Sequence, residues 1–247
     1  MYLSLEGTIR AIMEIRGCDA EDARRIMADF ENQKLTSQQF YRRMQEWLGE
    51  RRLVDKSTSY ALDLEVLKRA ETDFDNPLFV HLLRHPYVMI HSFVEVRLDR
   101  IFFRHGHNFS VRELAELVWL ICHQNISEFL GNIPDQRQHR VKYEDLVSEP
   151  RLSMEGICQF LGLEYHLDMV QPYKDSKKRM TDGIHKVSRM IGDVKFHEHK
   201  AIDSSAAERW KQHYREDFLG DITWQIAEKF GYKRLREMKA VSGRVNP

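Results

Sequence analysis

Arg84 combines a cationic side chain with a position at which ligands commonly bind. The apolar run 78–83 ends just before it, and Pro86 marks the first turn of a helix just after it. In open α/β sheets ligands bind beyond the carboxyl ends of strands, and helix N-termini favour anions. The position predicts an anion site; the alternative is an arginine that only pairs with a surface carboxylate. Ser92 follows Pro86 by six residues, about 9 Å along a helix, so spacing alone does not bring it beside Arg84.

The stretch 174–200 is a second candidate for binding chemistry because it is unusually basic. It holds eight Lys and Arg and three His against four acidic residues. No sustained helical or strand period runs through it, so we expect a long functional loop. His197 and His199 could place two imidazoles on one strand face, but no third ligand follows at a recognisable spacing. We therefore expect no metal site.

Short apolar runs alternate with helical segments around Arg84. Residues 52–55, 78–83 and 140–143 predict strands, and amphipathic segments separate them. Near-continuous apolar strands between helices are typical of a parallel sheet covered on both faces. We therefore expect an α/β fold in which a small parallel sheet is surrounded by many helices.

Helix starts are marked clearly along the chain. Residues 1–50 predict two or three amphipathic helices, with a cap at Asp19 and a capping box from Thr36 to Gln39. A long helix is expected from Pro86 towards Phe103. A second capping box, Ser110 with Glu113, begins the helix that follows.

Composition excludes several classes of protein. The 247 residues carry 38 Lys and Arg against 38 Asp and Glu, so the basic surplus of a nucleic-acid-binding protein is missing. No apolar run approaches the roughly 20 residues that cross a bilayer. The three cysteines are an odd number without a Cys-x-x-Cys pair, which favours neither disulfides nor zinc. With no secretory signal pattern either, the cytoplasm is the expected location.

Four sequence patterns occur in order along the chain. Residues 78–93 contain an arginine at a strand end and a serine eight residues later. Residues 141–150 contain Tyr-Glu-Asp-Leu followed by a proline, and 157–163 end in Phe-Leu-Gly-Leu. Residues 189–196 form a basic segment around a glycine. Together they resemble the sulfotransferases that use 3′-phosphoadenosine 5′-phosphosulfate (PAPS).

The resemblance implies roles for five residues. Arg84 and Ser92 would contact the 3′-phosphate of the nucleotide, and Tyr143 would lie near it. Arg189 and Lys195 would belong to a loop that closes over the cofactor. The fold implied is a P-loop-type sulfotransferase fold. The activity implied is transfer of a sulfuryl group from PAPS to a hydroxyl, which leaves adenosine 3′,5′-bisphosphate.

Finer similarities concern the acceptor. The helical opening and the segments 55–60 and 208–214 are most similar to sulfotransferases associated with polyketide and nonribosomal peptide assembly lines. The implied acceptor is a small molecule or a carrier-bound β-hydroxyacyl chain. We expect a sulfotransferase domain over residues 1–238, with 1–50 on the acceptor side, and a frayed tail over 239–247.

Two features depart from the family pattern. The family begins with a strand and a Pro-Arg-Ser-Gly-like loop that holds the 5′-phosphosulfate, and no such loop occurs in this sequence. The domain is thus expected to be N-terminally incomplete. Where cytosolic members carry Lys-Thr-His with His as base, this chain has Lys56 followed by Ser57 and Thr58. Thr58 cannot serve as the base.

Candidates for the transfer chemistry follow from these departures. Lys56 would stabilise the transferring group, with a solvated lysine as the alternative. His185, Asp55 or a residue of the missing segment would be the base. Two other functions stay open. The chain could be a non-catalytic remnant with exposed strand edges, or a helical module that binds a partner through residues 1–50.

Overall fold

The protein is described by a computed structural model, which covers residues 5–57, 59–102, 106–174, 199–208, 210–214 and 217–234. Three of the expected site residues, His185, Arg189 and Lys195, lie outside the described residues, as does the tail 239–247. The chain divides into two compact units. The smaller unit comprises Met1–Ser57 with Gln171–Ala201, and the larger comprises Thr58–Val170 with Ile202–Pro247.

At the start of the chain, where two or three helices were expected, the described part of the smaller unit contains α1 (Leu5–Arg16), α2 (Ala20–Asn32) and α3 (Ser37–Leu48). Asp19 caps α2 by accepting a hydrogen bond from the Asp22 backbone at 2.9 Å. The capping box of Thr36 at the start of α3 is confirmed. Apolar faces of the three helices form one core, in which Phe30 and Trp47 stack with ring centroids 5.5 Å apart.

The larger unit is built on two parallel strands, β1 (Phe79–Leu83) and β2 (Gln138–Lys142). Their register pairs the last residues of the two strands, Leu83 with Lys142. The described residues of this unit form the helices α4 (Leu64–Asp73), α5 (Pro86–Glu95), α6 (Asp99–Phe102), α7 (Val111–Leu130), α8 (Tyr143–Ser148) and α9 (Pro150–Leu161). Two further helices, Trp210–His213 and Asp221–Lys229, follow later in the chain.

The core of the larger unit lies between α5, α7 and the later helices. Tyr87, Trp119 and Trp224 are all fully buried there. The capping box of Ser110 begins α7 as expected, with the Ser110 hydroxyl and the Glu113 carboxylate each accepting a backbone N–H. The α/β fold with a small parallel sheet among many helices is confirmed. Among the described residues, none of the helices combines the length and the apolar composition that spanning a bilayer requires.

Two local expectations were wrong. Residues 52–55 form an irregular segment rather than a strand, because Leu53 packs against the helical core of the smaller unit while Val54 stays 74% exposed. The helix from Pro86 ends at Glu95 instead of continuing towards residue 103. Arg97 adopts a left-handed backbone with φ of 53°, and its guanidinium binds Asp99, donating from Nε at 3.1 Å and Nη2 at 3.0 Å.

Candidate functional site

The carboxyl ends of the two strands bring together two of the expected site residues. Arg84 directly follows β1 and Tyr143 directly follows β2, one position beyond the paired residues Leu83 and Lys142. The Arg84 guanidinium carbon lies 4.2 Å from the centroid of the Tyr143 ring. Both side chains are half-buried. A planar cation held against an aromatic face can still present N–H donors at its edge, so this pair can bind an oxyanion.

The peptide unit that joins Arg84 to His85 is held from both sides. Its carbonyl oxygen, on Arg84, accepts a hydrogen bond from the Trp119 indole Nε1–H at 2.9 Å. Its N–H, on His85, donates to Glu144 Oε1 at 2.8 Å. Trp119 comes from α7 and Glu144 from α8. The backbone that carries the Arg84 side chain is thus fixed by two elements besides its own strand.

His85 is a buried, neutral cap of α5. Its Nδ1 accepts a hydrogen bond from the Tyr87 backbone N–H at 3.2 Å, so the proton of the neutral ring sits on Nε2. The ring stacks on Trp210 with centroids 4.7 Å apart. Burial, followed by the charges of Lys211 and Lys142, lowers the pKa of His85 to about 3. The imidazole therefore adds no charge to the strand ends at neutral pH.

Glu144 links the strand ends to the C-terminal part of the larger unit. Its Oε2 accepts a hydrogen bond from the Tyr232 hydroxyl at 3.0 Å. Burial and the neighbouring Glu144 carboxylate raise the pKa of Tyr232, which keeps the phenol protonated as a donor. A cavity of about 680 Å³ opens beside these groups, and its walls include His85, Glu144, Trp210, Lys211, Tyr232 and Lys233.

The remaining described candidates lie apart from this pair in sequence and element. Ser92 is half-buried on α5, six residues beyond Pro86. Lys56 is exposed in the irregular segment of the smaller unit. Asp55, the alternative base, is exposed and its Oδ2 accepts a hydrogen bond from the Tyr41 hydroxyl at 2.8 Å. Arg84 and Tyr143 are therefore the expected residues that the described structure places in contact.

His123 is a packing residue of α7. It is buried, and its Nδ1 lies 3.1 Å from His81 Nε2. Its ring packs against Trp119 with centroids 4.4 Å apart. The two imidazoles thus belong to the layer that supports β1 from α7.

Sequence reasoning missed three residues that hold this site: Glu144, Tyr232 and Trp119. Glu144 carried a usable signal, since it directly follows Tyr143 at the end of a predicted strand. Tyr232 lies 88 residues from Glu144, and Trp119 lies 35 residues from Arg84. No local pattern predicts contacts over such separations.

The fold and these strand ends define an α/β protein that can bind an anion beyond two parallel strands. A profile described as the sulfotransferase family matches residues 3–167. The chain therefore belongs to the sulfotransferase family and is an enzyme of that class.

Two solved structures are similar to nearly the whole chain. A sulfotransferase domain from the curacin biosynthetic pathway is 36% identical, with a TM-score of 0.84, over 92% of this chain and 79% of that one. A sulfotransferase domain from the Synechococcus PCC 7002 olefin synthase is 30% identical, with a TM-score of 0.80, over 93% of this chain and 76% of that one. No curated protein sequence matches the chain.

Proposed function

We propose that this enzyme transfers a sulfuryl group from PAPS to a hydroxyl acceptor. The observation that carries the proposal is the Arg84 guanidinium stacked on Tyr143 at the carboxyl ends of two paired parallel strands. Ligands of α/β proteins bind at this edge, and arginine is well suited to a phosphate because its donors form a planar fork.

The nucleotide would be gripped at its 3′ side. Arg84 would donate to the 3′-phosphate while Tyr143 holds the guanidinium plane, and Ser92 would add a hydroxyl donor. Arg189 and Lys195, outside the described residues, would close over the nucleotide from the basic stretch 174–200. The chain has zero formal net charge, but eight of its Lys and Arg fall within the stretch 174–200, and such a local excess of cations favours an anionic ligand.

The reaction has a defined balance of bonds and protons. The acceptor hydroxyl oxygen attacks sulfur and forms a new S–O bond, while the bond from sulfur to the 5′-phosphate oxygen breaks. The electron pair leaves with adenosine 3′,5′-bisphosphate, and a base takes the hydroxyl proton. Lys56 would stabilise charge on the transferring group. His185 or Asp55 would be the base.

The acceptor that we propose is a carrier-bound β-hydroxyacyl chain. Support comes from the resemblance of the opening helices and of segments 55–60 and 208–214 to assembly-line sulfotransferases. The two similar structures come from the curacin biosynthetic pathway and from an olefin synthase. Both facts favour an acceptor made by a polyketide-type assembly line over a free phenol or steroid.

Transfer of ³⁵S-labelled sulfate tests the proposal. Labelled PAPS is incubated with the enzyme and with a β-hydroxyacyl chain, either carrier-bound or as the free acid. We expect label on the carrier-bound chain, less on the free acid, and at least about tenfold slower transfer by Lys56→Ala. Lys229→Ala, which removes an exposed lysine elsewhere, is the matched control and keeps the wild-type rate. Absence of label on every hydroxyl acceptor would contradict the proposal.

A further inference from the structure

Glu144 extends the connection between the two strands beyond the end of their backbone ladder. The ladder ends at the pair Leu83 and Lys142. One residue later come Arg84 and Tyr143, which contact each other through their side chains. Two residues later, the Glu144 carboxylate accepts the His85 backbone N–H at 2.8 Å. A side chain thus replaces the carbonyl that a further strand residue would have offered.

Both oxygens of this carboxylate are used by donors from different parts of the chain. Oε1 binds the Arg84–His85 peptide, and Oε2 binds the Tyr232 hydroxyl at 3.0 Å. The other side of the same peptide is held by Trp119 at 2.9 Å. A peptide plane with both its N–H and its C=O bonded to side chains has little freedom to rotate.

We infer that Glu144 is a positioning residue for nucleotide binding, acting through Arg84 rather than by touching the ligand. Glu144 ties the chain just after Tyr143 to the chain just after Arg84, so loss of this bond would let the two strand ends separate and would move the guanidinium away from the Tyr143 ring. With the peptide held, Arg84 meets an incoming phosphate already in its binding geometry, and less conformational freedom is lost on binding. The inference rests on the proposed role of Arg84 in binding the 3′-phosphate.

Two substitutions of Glu144 differ in the hydrogen bonds that they can keep. A glutamine keeps an oxygen that can accept the His85 N–H, and its amide can donate to the Tyr232 hydroxyl, which can rotate to accept. An alanine leaves the peptide N–H and the Tyr232 hydroxyl without this acceptor. Glu144→Gln should therefore keep the nucleotide affinity that Glu144→Ala loses.

Calorimetry with adenosine 3′,5′-bisphosphate measures the effect. We expect Glu144→Ala to weaken binding about tenfold, which is the size of one lost buried hydrogen bond to a charged group. Glu144→Gln should stay within about threefold of the wild type, and Tyr232→Phe should lose about threefold. Glu149→Ala removes an exposed carboxylate that makes no capping bond at the start of α9, and serves as the matched control with wild-type affinity.

Arg84→Lys separates positioning from a general loss of stability. If Glu144 acts through Arg84, adding Glu144→Ala to Arg84→Lys should weaken binding by less than about threefold, because the geometry being positioned is already lost. A tenfold loss in both backgrounds would overturn the inference, since Glu144 would then act independently of Arg84. Should Glu144→Ala fail to fold, Tyr232→Phe replaces it: its loss of about threefold in the wild type should disappear in the Arg84→Lys background, and the same loss in both backgrounds would overturn the inference.

Nucleotide binding by the wild type distinguishes a failure of this inference from a failure of the proposed function. If the wild type does not bind adenosine 3′,5′-bisphosphate, the proposed function fails and the inference fails with it. If the wild type binds and Glu144→Ala binds equally well, the proposed function stands and the positioning role of Glu144 is wrong.

Discussion

Three neutral histidines buried in the larger unit make its stability sensitive to mild acid. His81, His85 and His123 are only 5%, 6% and 7% exposed. Burial is the main cause that lowers their pKa values, to about 4, 3 and 3, from an ordinary value near 6.5. As the pH falls, these imidazoles take up protons in the unfolded chain at a higher pH than in the folded protein. The free energy of unfolding should therefore fall as the pH drops below about 6.5, and continue to fall towards the folded-state values.

The magnitude follows from these pKa values. Between pH 7 and pH 5 each imidazole lowers the free energy of unfolding by about 2 kcal/mol, and the three together by about 6 kcal/mol. Most carboxylates stay ionised in this window, so the histidines dominate it. A loss of that size is comparable with the whole stability of many domains, which is about 5–15 kcal/mol.

Urea unfolding at pH 7, 6 and 5, followed by tryptophan fluorescence, measures the effect. Three of the four tryptophans lie in the larger unit, so the signal reports mainly on it. The double variant His81→Leu with His123→Leu removes two of the imidazoles, which lie 3.1 Å apart. Between pH 7 and pH 5, we expect the free energy of unfolding of this variant to fall by about 4 kcal/mol less than that of the wild type. His107→Gln, at an exposed position, should leave that dependence unchanged.

Two results would refute this reasoning. One is a wild type whose free energy of unfolding changes by less than about 1 kcal/mol between pH 7 and pH 5. The other is a double variant with the same pH dependence as the wild type. Either would mean that these imidazoles are not held neutral in the fold.

Three further predictions concern single contacts. Tyr143→Phe keeps a ring under the Arg84 guanidinium and should change affinity for adenosine 3′,5′-bisphosphate less than about twofold, whereas Tyr143→Ala should lose about fivefold; equal losses in calorimetry would contradict the stacking role. Ser110→Ala removes the cap of α7 and should lower the free energy of unfolding in urea by about 1 kcal/mol; no change would show that the cap is dispensable. Glu71→Ala leaves the half-buried Arg137 guanidinium without the carboxylate it bonds at 2.9 Å and should lower that free energy; a variant as stable as the wild type would contradict it.

Features that depend on neighbouring residues could be predicted from the sequence. The caps at Asp19, Thr36 and Ser110 accept backbone N–H groups three residues away. Both partners of each cap therefore lie within one short segment of the sequence. Arg84 and Tyr143 could be placed at strand ends for the same reason. Their contact then follows from parallel pairing, because the carboxyl ends of parallel strands meet at one edge of the sheet.

Features that depend on distant residues could not be predicted. The apolar-centred run 52–55 fits a strand pattern, yet Leu53 packs on helices instead, since a short apolar run does not specify its partner. The peptide between Arg84 and His85 is held by Trp119 and Glu144. Those contacts join α7 and α8 to the end of β1, and only the packed fold brings the three together.

We propose above all that Arg84 binds the 3′-phosphate of a PAPS-derived nucleotide. Titration calorimetry of the wild type and of Arg84→Ala with adenosine 3′,5′-bisphosphate tests it most directly, with adenosine 5′-phosphate as the ligand that lacks the 3′-phosphate. We expect the wild type to prefer the bisphosphate, and Arg84→Ala to lose at least about tenfold in affinity for it while binding of adenosine 5′-phosphate is unchanged. Equal binding of the bisphosphate by the wild type and by Arg84→Ala would contradict the claim.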